Sequence, residues 1–105
     1  MTAQITYTKS RISLNQAASV SVECSELVYA YECRATLVGE PQGRGMGINV
    51  LKDEGGYDSD GVVTLNSPTR FIYFSVSGDE LISAGDYNIN VYLKTQNGWE
   101  TPTVE

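Results

Sequence analysis

Histidine is absent from this chain, and with it the usual general base and commonest metal ligand near neutral pH. A Ser-His-Asp triad is therefore excluded, and no Ser-centred nucleophile elbow is present. Cysteine is scarce: Cys24 and Cys33 are the only two, too few for a structural zinc site without histidine. Charged residues make up 19% of the chain, and seven basic residues face thirteen acidic ones, giving a net charge of −6. No basic stripe offsets that charge, so phosphate backbones and anionic lipid are repelled; nucleic acid and membrane are not expected partners. No apolar run approaches the length of a membrane-spanning helix. The first residues, MTAQITYTKSRISL, lack the apolar core of a signal peptide, so cytoplasmic synthesis is expected.

What remains is a composition suited to a packed fold. Apolar residues account for 41% and aromatic residues for 10%, seven of them Tyr, which is too apolar for disorder. At 105 residues the chain has the size of one domain, residues 1–105, able to bury roughly two-thirds of its unfolded surface.

Period-two alternation dominates, punctuated by Gly, Pro, Asn, Asp and Ser. In the clearest run Tyr87, Ile89, Val91 and Leu93 share one face while Asn88 and Asn90 take the other, a strand with one wet side. It leads into Asn97-Gly98, which suits a type I′ hairpin, so the residues after it are expected to return antiparallel. Pro102 lacks an N–H and marks that last run as an edge or a ragged end. Ile72, Phe74 and Val76 alternate with Phe71, Tyr73 and Ser75, so both faces are expected to pack. Val62–Leu65 reads as a separate shorter strand, and Met46, Ile48 and Val50 as another that Lys52–Gly56 closes. Val20, Val22 and Cys24 form one inward set. Leu27, Tyr29, Tyr31, Cys33, Ala35 and Leu37 form the next, with Ser25-Glu26 as the turn between them and Glu32, Arg34 and Thr36 facing outward. The β-branched and aromatic residues of 25–34 favour strand over helix. Residues 79–84 are too few for an independent helix and read as one turn crossing between sheets. Gly39–Gly45 reads as a loop.

Seven to nine short strands spaced about ten residues apart imply an all-β antiparallel sandwich. The segment Leu81–Ile89 resembles the corner of an immunoglobulin-like fold, in which a tyrosine, here Tyr87, opens the penultimate strand and bonds back to nearby backbone. Antibody domains carry a bridging cysteine two positions later. Ile89 stands there, so that inter-sheet bridge is absent.

The candidate chemical sites are few. Cys24 and Cys33 fall on the inward faces of two predicted neighbouring strands, which leaves a disulfide open, while reduced buried thiols are favoured. Asp53, Glu54, Asp58 and Asp60 cluster beside glycines but supply only a fragment of a calcium loop, without its terminal bidentate Glu, and fit a solvated turn better. Adjacent acids on such a loop have no environment to split their pKa values as a glycosidase pair requires. Gly43–Gly47 matches a phosphate loop in glycine content alone, because no helix follows. No catalytic residue, metal ligand or cofactor site emerges. Tyr57 and Trp99, in or beside predicted turns, are the candidate binding residues, set against the alternative that each folds over the sandwich as a lid.

Gly61-Val62-Val63-Thr64-Leu65, Phe74-Ser75-Val76, Glu80-Leu81, Ala84-Gly85-Asp86-Tyr87, Val91-Tyr92-Leu93 and Asn97-Gly98-Trp99 carry a further resemblance. Over residues 61–99 the chain resembles the immunoglobulin-like N-terminal modules of phage baseplate upper proteins and related tail-fibre domains. The resemblance implies a non-enzymatic virion structural component that assembles with protein partners or copies of itself. The alternative is an extracellular module whose loops bind carbohydrate or a protein ligand. If Tyr87 forms the corner, Tyr87→Phe is expected to lower stability by about 1 kcal/mol, read from the urea midpoint, by loss of a buried hydroxyl bond.

Overall fold

The computed structural model describes residues 2–39, 45–52, 57–58, 61–80, 84–100 and 103–104, with the backbone alone for Tyr57, Glu80, Thr103 and Val104. Among them the strands are β1 (Thr2–Tyr7), β2 (Arg11–Ser13), β3 (Ala17–Leu37), β4 (Met46–Gly47), β5 (Val50–Leu51), β6 (Tyr57–Asp58), β7 (Val62–Ser77), β8 (Asp86–Thr95), β9 (Gly98–Glu100) and β10 (Thr103–Val104). The only helical element among the described residues is a single 3₁₀ turn, Gly78–Glu80, in the segment expected to make one turn. The chain is all-β and almost wholly antiparallel, as the alternation requires; β10 on β1 is the one parallel pair described.

Two strands are far longer than the sequence reading allowed. The runs 20–24 and 27–37 are one 21-residue strand, with no turn at Ser25-Glu26, and Val62–Leu65 is continuous with 71–76 in one 16-residue strand. Together β3 and β7 form a long antiparallel ribbon. Glu23 faces Phe71 and Ala30 faces Thr64, so six residues intervene on each strand; within that interval the pairing slips, and Val28 faces Thr69. β1 lines the first half of β3, and β8 lines the second half on the same side. β2 and β9 add to the far edge of β8, while β5 and then β6 add to β7.

The inward face also changes along both strands. Along β3 the inward residues are Ala18, Val20, Val22, Val28 and Ala30, then Tyr31, Cys33 and Ala35; the adjacent buried pair Ala30-Tyr31 marks the change. The change falls past the slip, since Val28 and Ala30 keep the even parity of Val20 and Val22 and the register is the same on both sides. Leu27 and Tyr29 therefore lie exposed, not inward as expected, and the fully buried residue between them is Val28. β7 changes parity likewise, from Val63 to Ile72, Phe74 and Val76. The folded ribbon closes on one core, in which Tyr31 stacks on Phe74 with ring centroids 4.9 Å apart. Each of these large apolar side chains stabilises the fold by about 1.5–3 kcal/mol through burial.

Strand β8 keeps the expected alternation, with Tyr87, Ile89, Val91 and Leu93 buried. The β8–β9 hairpin forms as expected, but its turn differs. Thr95 pairs with Gly98, and Gly98 has φ +99° while Asn97 does not reach positive φ. A type I′ turn needs positive φ at both central residues, so the glycine here follows the turn instead of sitting within it. Asn97 N–H donates to Thr95 Oγ1 at 3.2 Å, which holds the bend. Of the run beyond, β10 leaves the hairpin and caps β1; Pro102 lies outside the described residues.

Gly61, at φ +78°, initiates β7 where the chain passes close to two other segments. Cys33 N–H donates to its carbonyl at 2.8 Å, and a Cβ placed here would stand 2.6 Å from the Cys33 carbonyl oxygen and 2.7 Å from that of Ile48. Gly61→Ala is expected to cost more than about 1 kcal/mol, seen as a lower urea midpoint with an unchanged slope.

Candidate functional site

β7 is paired on both sides only near its end. Against β3 it is bonded along its length, but on its other side β5 reaches only Ser75 and Val76. From Val63 to Tyr73 that second edge has no partner strand among the described residues, and a groove of about 530 Å³ runs along it. Leu65, Asn66, Ser67 and Thr69 of the slipped segment line the groove, and so does Lys52. The bend is held locally, since Thr69 Oγ1 accepts from Phe71 N–H at 3.2 Å. Tyr31 and Ile72 contribute from the core side, while Phe71 and Tyr73 border the groove at 58% and 45% exposure.

These exposures correct the expectation that both faces of 71–76 pack. Ile72, Phe74 and Val76 alone enter the core. Phe71 and Tyr73 lie on the opposite, outer face, where register sets them beside Glu23 and Ser21 of β3. The sequence signal for the groove was the turn-forming Asn66-Ser67-Pro68 interrupting two apolar runs. Reading those residues as a break between strands hid the fact that the strand continues through them.

The residues singled out from sequence are not gathered at this groove. Trp99, on β9, is half-exposed, faces Lys94 across the hairpin and does not line the groove. Tyr57 pairs by backbone with Leu51, and its side chain lies outside the described residues. So do Asp53, Glu54 and Asp60 of the acidic turn, Gly43-Arg44 of the glycine-rich loop and Leu81–Ser83 of the corner. Among the described residues no three potential ligands cluster to hold a metal ion.

A second edge is open at β1. Thr8 N–H donates to Ser19 O at 3.0 Å, so by the alternation of an antiparallel ladder Thr6 and Gln4 also point their backbone groups at β3. The N–H and C=O groups of Ile5 and Tyr7 then point away from β3. β10 pairs only with Thr2 and Ala3, and no described strand covers Gln4–Tyr7 on that side.

The buried titratable groups have a structural role. Glu32 occupies the outward parity expected of it yet is fully buried, in an ion pair with the guanidinium of Arg34, whose Nε donates to Glu32 Oε1. A buried carboxylate needs such compensation. Cys24 and Cys33 are free thiols, and both lie on one continuous strand. Burial, reinforced by the charge of Glu32, pushes the Cys33 thiol up to about 12. Burial also raises the Cys24 thiol, and it raises the Tyr7 phenol together with a smaller contribution from Cys33. Thiolate is the reactive form, so Cys33 is chemically quiet in the folded protein.

Comparison with family models, with curated proteins and with solved structures finds no match for this chain.

The raised Cys33 pKa fixes a direction for alkaline stability. The unfolded thiol ionises near its ordinary value of 9.0, whereas the folded one holds its proton to about 12. Its contribution is therefore complete below the unfolded value and is lost as pH rises through this window. Urea titrations at stepped pH are expected to show that loss, with a shallower fall for Cys33→Ala. A thiol reagent is expected to modify Cys33 only after unfolding.

Proposed function

We propose that this chain is a non-enzymatic assembly module, a virion structural component of the baseplate or tail, which joins copies of itself through the open edge of β1. The observation that carries this reading is the edge itself. Residues 2–8, Thr-Ala-Gln-Ile-Thr-Tyr-Thr, contain no charge and no proline, two of the devices by which natural proteins guard a sheet edge. Their outward backbone groups offer a template for another strand, the mode known as β-augmentation. In a chain of net charge −6 most approaches between copies are repulsive, and an uncharged edge is where two copies meet with least repulsion.

The absence of histidine and the inert, buried thiol support a role without chemistry of its own. We read the all-β fold as an immunoglobulin-like sandwich with its corner at Tyr87, an architecture that suits the same role. Tyr87 opens β8 and is 5% exposed, and the corner is tied across the chain where Ser13 Oγ donates to Asp86 Oδ1 at 2.7 Å. The phage assignment rests on the likeness of residues 61–99 to baseplate and tail-fibre modules.

Sedimentation velocity over a concentration series tests the edge. Reversible association is expected for the native chain, and the double substitution Gln4→Lys with Thr6→Lys is expected to leave a monomer. Both side chains are exposed, so the thermal midpoint is expected to move little. A native chain that stays monomeric at the highest concentration rejects the proposal.

A further inference from the structure

We propose that the groove along β7 is a saccharide site, taking an uncharged pyranose oligosaccharide whose apolar ring faces rest on Tyr73 and Phe71. The groove lies on the far side of the ribbon from the β1 edge, so the two surfaces are separate. Its volume of about 530 Å³ falls within the range of small-ligand sites. The two aromatic side chains stand two residues apart on one face of a strand, a separation of roughly 6.6 Å, which presents successive stacking surfaces along one direction. An aromatic face is negative, and the C–H groups on one side of a pyranose ring are its complement.

The rest of the lining is what a polyhydroxylated ligand needs. Thr64, Asn66 and Ser67 bring hydroxyls and a carboxamide that both donate and accept, and the β7 backbone, which has no partner strand there among the described residues, adds further groups. Aromatic surface combined with small adaptable hydroxyl and amide groups is the chemistry by which proteins hold polar ligands at low entropic cost. Charge narrows the class. Among the described residues Lys52 is the one charged side chain in the lining and none is a carboxylate, so a cationic ligand finds no counter-ion there. An anionic ligand lacks the arginine fork that multidentate oxyanion recognition favours.

A peptide strand fits this edge poorly, although the edge is unpaired. Opposite Glu23–Ala30 the register of β7 slips and the regular ladder is interrupted, and Pro68 removes a donor from its middle. Bulges and prolines are the features that deny an edge to an incoming strand. β7 thus carries both guards and β1 carries neither.

The test is an array of neutral glucans, galactans, mannans and chitooligosaccharides probed with the intact labelled chain. Retained sugars are then titrated while backbone amide shifts are followed by NMR. Binding of at least one neutral class is expected, with shifts concentrated at residues 63–73. Tyr73→Ala and Asn66→Ala are each expected to weaken it about tenfold or more. Both side chains are exposed, so the thermal midpoints report whether either variant fails to fold. Trp99→Ala is expected to bind normally. Retention of no neutral glycan overturns the proposal, as does binding that only anionic glycans or extended peptides show. Binding lost with Trp99→Ala but kept with Tyr73→Ala and Asn66→Ala overturns it as well.

Discussion

Residues 17–37 and 62–77 face each other across an antiparallel ladder that runs nearly the full length of both segments, and the remaining strands take their places from it. β1, β4 and β8 attach to β3, and β5 attaches to β7; the other four strands attach to β1, β5 or β8. The ladder has the same register at its two ends and a slip in the middle. Straight, it would present one flat apolar face to water. Bent at the slip, it folds that face onto itself and encloses the core that Phe74, Val20, Val22, Val50 and Leu93 fill.

The slip has consequences beyond packing. Around it the inward parity of each strand changes, and Phe71 and Tyr73 stand in solvent while their neighbours Ile72 and Phe74 are buried. The slip also borders the groove, because four of the six residues between the regular stretches of β7, Leu65, Asn66, Ser67 and Thr69, line it. On β3 both cysteines are buried, free thiols. Cys33, enclosed beside the buried Glu32–Arg34 ion pair, is left as a packing residue with its thiol held neutral.

The two open edges of the sheet differ in kind. β1 is uncharged, straight and free of proline, whereas β7 is bent, interrupted by Pro68 and bordered by aromatic and hydroxyl side chains. A straight edge with free N–H and C=O groups suits strand pairing, which uses backbone and asks little of side chains. A bent edge with a concave, mixed lining suits a compact ligand, which uses side chains and asks for shape. The proposed assembly and saccharide surfaces therefore divide along a physical difference between two edges of one sheet.

The amino-acid sequence by itself determined the class of structure and the faces of the simplest strand. Period-two alternation, β-branched and aromatic residues and turn chemistry specify strands, and Tyr87, Ile89, Val91 and Leu93 are buried as their parity requires. It determined too that Asn97-Gly98 ends a hairpin, and that no histidine-dependent chemistry is available. Only the tertiary structure decided that residues 24–29 and 65–70 continue their strands. Ser25-Glu26 and Asn66-Ser67-Pro68 have the composition of turns, and nothing local distinguishes a turn from a slip that a facing strand holds extended. For the same reason the exposure of Leu27, Tyr29, Phe71 and Tyr73 was illegible: the parity of a strand is local, but the place where it switches is set by the partner across the ladder.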